Sequence, residues 1–257
     1  LRIICLLVIL QFVWMLMQKI FNYDPVFYSI DPCSVSNHKM PLTGWSGNPS
    51  LLGVFFATNA FLLLNYFRIR KFPILFFMIL PAIILLNNAT TAICFAIGGI
   101  FYVLNKYKVK KSLYVVLFFG IILFLFLIYI KQPNMDRFVV WQKLITDGLK
   151  IRPLVGKGLN YFAHLHILDK TGTPWGEAHN DYLQLILEIG AIGFVLFMGF
   201  VVSKFIAYFQ EKRNNREICL MSNLLNYLIA GLFLFPMHIA QLSYLAIVQL
   251  SCLESSY

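Results

Sequence analysis

Charge is scarce in this sequence: of 257 residues, 12% are Asp, Glu, Lys or Arg, and only 11 of those are acidic. Apolar residues take their place, at 60% against the roughly 45–50% of soluble domains, with a mean hydropathy of +0.75. No single water-clothed core hides that much, so a soluble globular class is excluded. Cysteine offers no pairing logic either. Cys5, Cys94 and Cys252 fall in apolar runs, Cys219 sits at the edge of another and only Cys33 lies in a polar loop, so no structural disulfide is expected. The polar loops lack an Asp-x-Asp pair suited to a metal-bound nucleotide and lack a glycine-rich phosphate loop. A metal-bound nucleotide is therefore not expected, and no cofactor and no nucleic-acid partner is assigned.

What the chain does have is length of apolar run. Twenty-five Phe and thirteen Tyr gather in stretches such as 115–130. Against the roughly 20 residues needed to cross a bilayer, spans are predicted near 2–17, 50–67, 73–87, 91–104, 112–130, 182–207, 218–235 and 240–253. The expected fold is all-α: one polytopic membrane domain over 1–257 with about eight spans. Three short basic loops, Arg68/Arg70/Lys71, Lys106/Lys108/Lys110/Lys111 and Lys212/Arg213/Arg216, fall on one side if every span crosses. The positive-inside rule makes that side cytoplasmic. Residues 18–49, 131–181 and the turn Pro236-Met237-His238 then face outward, with Trp45, Trp141 and Trp175 placed for the interface. The apolar run begins almost at Leu1, and the chain is expected to be part of a longer one.

The 131–181 loop is too long for a simple connector and reads as a functional element. It carries Lys131, Arg137, Lys143, Lys150, Arg152, Lys157 and Lys170, a basic surface suited to an anionic lipid diphosphate, or else an ordinary solvated face. Residues 137–149 read as an amphipathic helix through Phe138, Trp141, Leu144, Ile145 and Leu149. Pro153-Leu154-Val155-Gly156-Lys157-Gly158 breaks it with a sharp turn. Asp181-Tyr182-Leu183-Gln184 has the form of a helix capping signal, which puts His179 just outside a helix N-terminus. That positive end disfavours imidazolium and attracts anions, so a neutral His179 is placed to act as a general base beside a phosphate. Glu188 lies about two turns inside an apolar span, where an ionisable group is costly. His164, His166 and His179 lack the further ligand that a familiar metal pattern requires.

The spacing His179-Asn180, two residues, Leu183, six residues, Gly190 resembles the signature of the bacterial O-antigen ligase and polymerase family, which includes protein O-oligosaccharyltransferases. Arg137-x-x-x-Trp141, the run Pro153 to Phe162, and Gly47-Asn48-Pro49 are similar to further family elements. The resemblance covers about residues 44–205 and implies a GT-C-like fold of which this chain is the C-terminal portion. It implies transfer of a glycan from undecaprenyl diphosphate to a hydroxyl of a saccharide, lipid A core or protein, at the outer face of the cytoplasmic membrane and without metal. In that scheme His179 takes the acceptor proton, Arg137 steadies the departing diphosphate, and the transferred sugar inverts. Arg152, Lys157, Asn180, Asp181 and Glu188 are the substrate-binding candidates, with helix capping an alternative role for Asn180 and Asp181. One departure is visible: Ala89-Thr90-Thr91 stands where many relatives carry a Ser-Arg pair. A non-catalytic carrier or flippase of lipid-linked saccharide, and an inactive fragment, are the competing expectations.

Overall fold

The computed structural model describes residues 2–21, 48–66, 86, 89–107, 135–148, 150, 152–165, 167–168, 176–210 and 214–254. The span expected at 112–130, that at 73–87 apart from Leu86, the basic residues around Arg70 and Lys110, and Lys212, Arg213, Lys131, Lys170, Cys33, Trp45, His166 and Trp175 lie outside those residues. Every regular element among the described residues is helical. In chain order they are α1 (Arg2–Phe21), α2 (Pro49–Tyr66), α3 (Ala89–Lys106), α4 (Met135–Lys143), α5 (Tyr161–His164), α6 (Asp181–Gln210), α7 (Asn215–Ala230) and α8 (Ala240–Glu254). A π-helical turn, Leu144–Gly148, follows α4, and a 3-10 turn, Pro236–His238, precedes α8. Among the described residues three helices, α1, α3 and α6, are long and apolar enough to cross a membrane, and Pro49–Asn65 and Leu242–Leu253 are shorter apolar stretches. The run expected as a span at 218–235 stops being helical at Ala230. Gly231 lacks a side chain to hold the helix and Pro236 lacks the N–H to continue it.

The chain divides into two compact units. The first holds α1, α2, α3, α7 and α8. Its central helix is α2, apolar on all sides and buried from Leu51 to Leu64, as a helix enclosed by others must be. Asn48 starts it, its Oδ1 accepting the Ser50 N–H at 2.8 Å with Pro49 behind it at the position where a missing N–H costs nothing. Small residues let the neighbours close in: a β-carbon on Gly53 would stand 1.9 Å from Thr91 Oγ1 of α3, and one on Gly98 would stand 2.2 Å from Asn226 Oδ1 of α7.

Apolar packing gives no direction in lipid, so buried amides set the register of this unit. Asn226 Nδ2 donates to Ala57 O at 2.6 Å, Asn223 Oδ1 accepts the Phe61 N–H at 3.2 Å, and Gln249 Nε2 donates to Asn59 Oδ1 at 2.8 Å. These pairs run α7 antiparallel to α2. Lys106 and Tyr102 of α3 both reach Asn215 at the start of α7, and Arg216 reaches Cys252 O of α8 at 3.3 Å. Lys106 and Arg216 therefore sit at one end of the unit, while Asn48, Ala89 and Ala230 sit at the other.

The second unit holds Lys108–Arg213 and Gly231–Ile239. Its core is a knot of Val140, Leu144, Phe162, Ile167, Ala178 and Leu187, with Trp141, Tyr161, Leu165 and Leu183 packed on it. Of the apolar positions expected in the 137–149 helix, Leu144 is buried and Ile145 is 52% exposed. Leu149 lies outside the described residues.

Candidate functional site

The expected span 182–207 is not one continuous helix. Gly190 has φ 72° and ψ 175°, a conformation that only glycine adopts freely, and it divides α6. Breaking a helix frees carbonyls before the break and N–H groups after it. The Pro153–Gly158 turn takes up both sets. Lys157 N donates to Leu187 O at 3.0 Å and Gly158 N to Glu188 O at 2.9 Å, while Ala191 N and Ile192 N donate to Pro153 O and Leu154 O at 2.8 and 3.1 Å. Gly156, with φ 75°, makes the approach possible. Beyond the break α6 exposes Ile192, Val195, Leu196, Phe200, Val202, Ile206 and Phe209, an apolar face of the kind a membrane span turns to lipid. Before the break Asp181, Gln184, Leu187 and Glu188 are buried in the unit. Glu188 is thus in the last turn of a short polar-faced segment rather than inside the span proper.

Asn180 caps α6: its Oδ1 accepts the Leu183 N–H at 3.1 Å, and its amide donates to Leu232 O at 3.3 Å. Asn180 thus caps in the place expected for Asp181, and the reciprocal Asp181–Gln184 box does not form: Gln184 reaches past the cap to accept the Ala178 N–H at 2.9 Å. Asp181 turns elsewhere. Its Oδ2 accepts the Met237 N–H at 2.8 Å and its Oδ1 lies 2.6 Å from His238 Nδ1, while its own N–H donates to Gly231 O at 2.8 Å.

His179 precedes the cap in a left-handed backbone conformation, φ 52°, which is sparsely used by non-glycine residues and concentrates at functional sites. Its imidazole meets the edge of Phe235 with centroids 4.9 Å apart. Burial, and then the charge of Arg137, push its pKa down to about 4, so the ring is neutral near pH 7.

Arg137 and Trp141 stand one helical turn apart on α4 and grip the two segments that flank the site. Trp141 Nε1 donates to Ala178 O at 2.7 Å, next to His179. Arg137 Nη1 donates to Phe233 O at 3.0 Å, two residues from the ring that packs on His179. Burial lowers the Arg137 pKa, and its Nε is buried without a hydrogen-bond partner among the described residues. A buried guanidinium with a spare donor beside a neutral imidazole is suited to an anion and a hydroxyl.

The remaining sequence-predicted residues fall apart from this pair. Arg152 is exposed with φ 56°. The Lys157 ammonium lies 4.7 Å from the Tyr161 ring centroid, and the Lys157 and Gly158 N–H groups that a phosphate would seek are spent on α6. His164 is exposed on α5. Among the described residues no three His, Cys, Asp or Glu side chains converge as metal ligands.

The residue that sequence reasoning passed over is His238. Its Nδ1 faces Asp181 and its Nε2 lies 3.2 Å from Glu188 Oε2, with both carboxylates fully buried. Burial opposes the imidazolium, but the hydrogen bonds and charges of Asp181 and Glu188 outweigh it and raise His238 to about 10. Gln184 Nε2 links Glu188 at 3.1 Å to Glu177 at 2.7 Å. A lone histidine after a proline carries no spacing rule; the available signal was Glu188, a buried carboxylate in want of a cation. No family model, no curated protein and no solved structure matches this chain.

Proposed function

We propose that this chain is a membrane glycosyltransferase of the O-antigen ligase and polymerase type, moving a glycan from undecaprenyl diphosphate to an acceptor hydroxyl at the outer face of the bacterial cytoplasmic membrane. The observation that carries the reading is the convergence of Arg137 and His179 on the Phe233–Phe235 stretch, with the Arg-x-x-x-Trp pair gripping both sides. The acceptor oxygen attacks the anomeric carbon as the bond to the lipid diphosphate breaks. Neutral His179 takes the hydroxyl proton. Arg137 takes up the charge left on the diphosphate, a task for a planar fork that stays protonated.

In the topology proposed with it, about eight spans cross the membrane and residues 131–181 face outward. Lys106 and Arg216 sharing one end of the first unit, opposite Asn48, supports that orientation. The broken α6 also fits a carrier, since discontinuous helices line transport sites. Against that, the groups freed at Gly190 are already bonded to Pro153, Leu154, Lys157 and Gly158.

The test is a purified preparation given undecaprenyl-diphosphate oligosaccharide and mixed hydroxyl acceptors. Transfer is expected in wild type, falling roughly 10²–10⁴-fold in His179→Ala and about 10²–10³-fold in Arg137→Ala. Donor binding without transfer in wild type would move the conclusion to the carrier.

A further inference from the structure

The residues Gly231–Ile239 form no helical ladder beyond one 3-10 turn, yet they supply a contact to each of the Arg137 and His179 side chains, the Phe233 carbonyl and the Phe235 ring. What holds that stretch is the first half of α6. The Asp181 N–H and the Asn180 amide bind the carbonyls of Gly231 and Leu232 at its beginning. At its other end the Met237 N–H donates to Asp181 Oδ2 at 2.8 Å, and the side chain that joins it to α6 is His238, whose two ring nitrogens lie 2.6 and 3.2 Å from carboxylates of Asp181 and Glu188. With both carboxyls ionised their oxygens accept, so each ring nitrogen donates and the ring is an imidazolium. Two fully buried carboxylates in turn need that cation, because an unpaired buried charge is costly.

We propose that His238 is a positioning residue of the site: bridging Asp181 and Glu188, it clamps the 231–239 stretch onto α6 and so sets where Phe233 and Phe235 hold Arg137 and His179. The proposal rests on the functional reading of Arg137 and His179 given above, but its geometry stands without substrate. The charged and titratable groups facing the clamp are Asp181 and Glu188 directly, Glu177 through Gln184, and Arg137 and His179 beyond the two phenylalanines. Asp181 and Glu188 thereby act through His238 rather than on a ligand.

The experiment is a histidine-selective ¹⁵N NMR titration of the full chain in lipid nanodiscs, which needs no substrate, run beside the transfer assay. In wild type, His238 is expected to keep both ring nitrogens protonated from about pH 6 to 9 while His179 stays neutral. In His238→Ala the clamp opens, His179 loses its packing, and its titration midpoint rises by about one unit or more toward that of a free histidine. Transfer then falls about tenfold or more in kcat, with donor KM little changed. His238→Lys, which keeps a cation, restores part of both readouts. Glu188→Gln, which keeps the fold's volume and a hydrogen bond, serves if His238→Ala does not fold, and is expected to move His179 in the same direction by less. A His179 midpoint that stays where it is in these variants overturns the clamp. Absence of transfer in wild type, with the His179 shift present, removes the glycosyltransferase reading and leaves the clamp standing.

Discussion

Gly156 and Gly190 face each other backbone to backbone: a β-carbon on Gly156 would stand 2.5 Å from Gly190 N, and one on Gly190 would stand 2.4 Å from Gly156 N. Both have positive φ, at 75° and 72°. The glycine of the 153–158 turn and the glycine that closes the histidine motif are therefore two halves of one joint.

Substituting either with alanine is expected to cost more than about 2 kcal/mol, since backbone strain of about 1–3 kcal/mol adds to a clash against backbone that cannot swing aside. The cost should be local at first. Hydrogen exchange of the Lys157, Gly158, Ala191 and Ile192 amides in Gly190→Ala checks this, with faster exchange expected there than across α7.

That joint shows what could be read from residues alone. The turn at Pro153–Gly158 and the helix start near Asp181 follow from local chemistry, and each is legible in order. The break at Gly190 was not, because a lone glycine in an apolar run is compatible with an unbroken span, and only the arrival of the 153–158 turn makes a break affordable. Asn180 in place of Asp181 as the cap has the same origin: Asp181 is drawn away by His238, a partner distant in sequence. The polar amides of α2, α7 and α8 likewise carry no periodicity that announces their pairing. Among the described residues, α1, α3 and α6 meet the length and hydropathy of a crossing helix, and the apolar stretch at 218–235 yields its last residues to the site.

Trp141→Phe isolates the grip of α4 on the histidine segment. Phenylalanine keeps the edge contact with Phe138, 5.2 Å between centroids, but leaves the carbonyl of buried Ala178 without its donor. A lost buried hydrogen bond costs about 1–3 kcal/mol. Transfer is expected to fall while donor binding persists, because Arg137 remains and only the His179 backbone is loosened. Single-turnover rates beside a donor-binding isotherm separate the two.

Acid affects His179 and His238 in opposite senses. His179, lowered to about 4 by burial and by Arg137, is a poorer proton acceptor folded than unfolded. The unfolded chain then binds more protons between about 4 and 6.5, so this group's contribution to stability is full above that window and is lost as pH falls through it. His238, raised to about 10, stabilises below about 6.5 and loses its contribution as pH rises toward 10. Their sum is a stability maximum near neutrality, measurable as denaturation midpoint against pH. The transfer rate should hold its acid limb near pH 4, and Arg137→Gln should move that limb upward by removing the smaller of its two causes.

In the first unit the amides predict a cost that apolar packing alone would not. Gln249→Leu deletes the bond to Asn59 Oδ1 between α8 and α2, and Asn226→Leu deletes the bond to Ala57 O between α7 and α2. Interhelical bonds of this kind are worth about 0.6–2 kcal/mol each, modest because an unfolded helix in lipid finds other partners. Asn226→Leu carries a second effect, since Gly98 packs directly on that side chain and branched methyls would press the α3 backbone away. Its loss should therefore exceed that of Gln249→Leu, although leucine is the more lipophilic residue. Unfolding in mixed micelles, run on both single variants, reads the order; the reverse order would mean that the hydrogen bonds, rather than the close approach at Gly98, set the stability of this helix group.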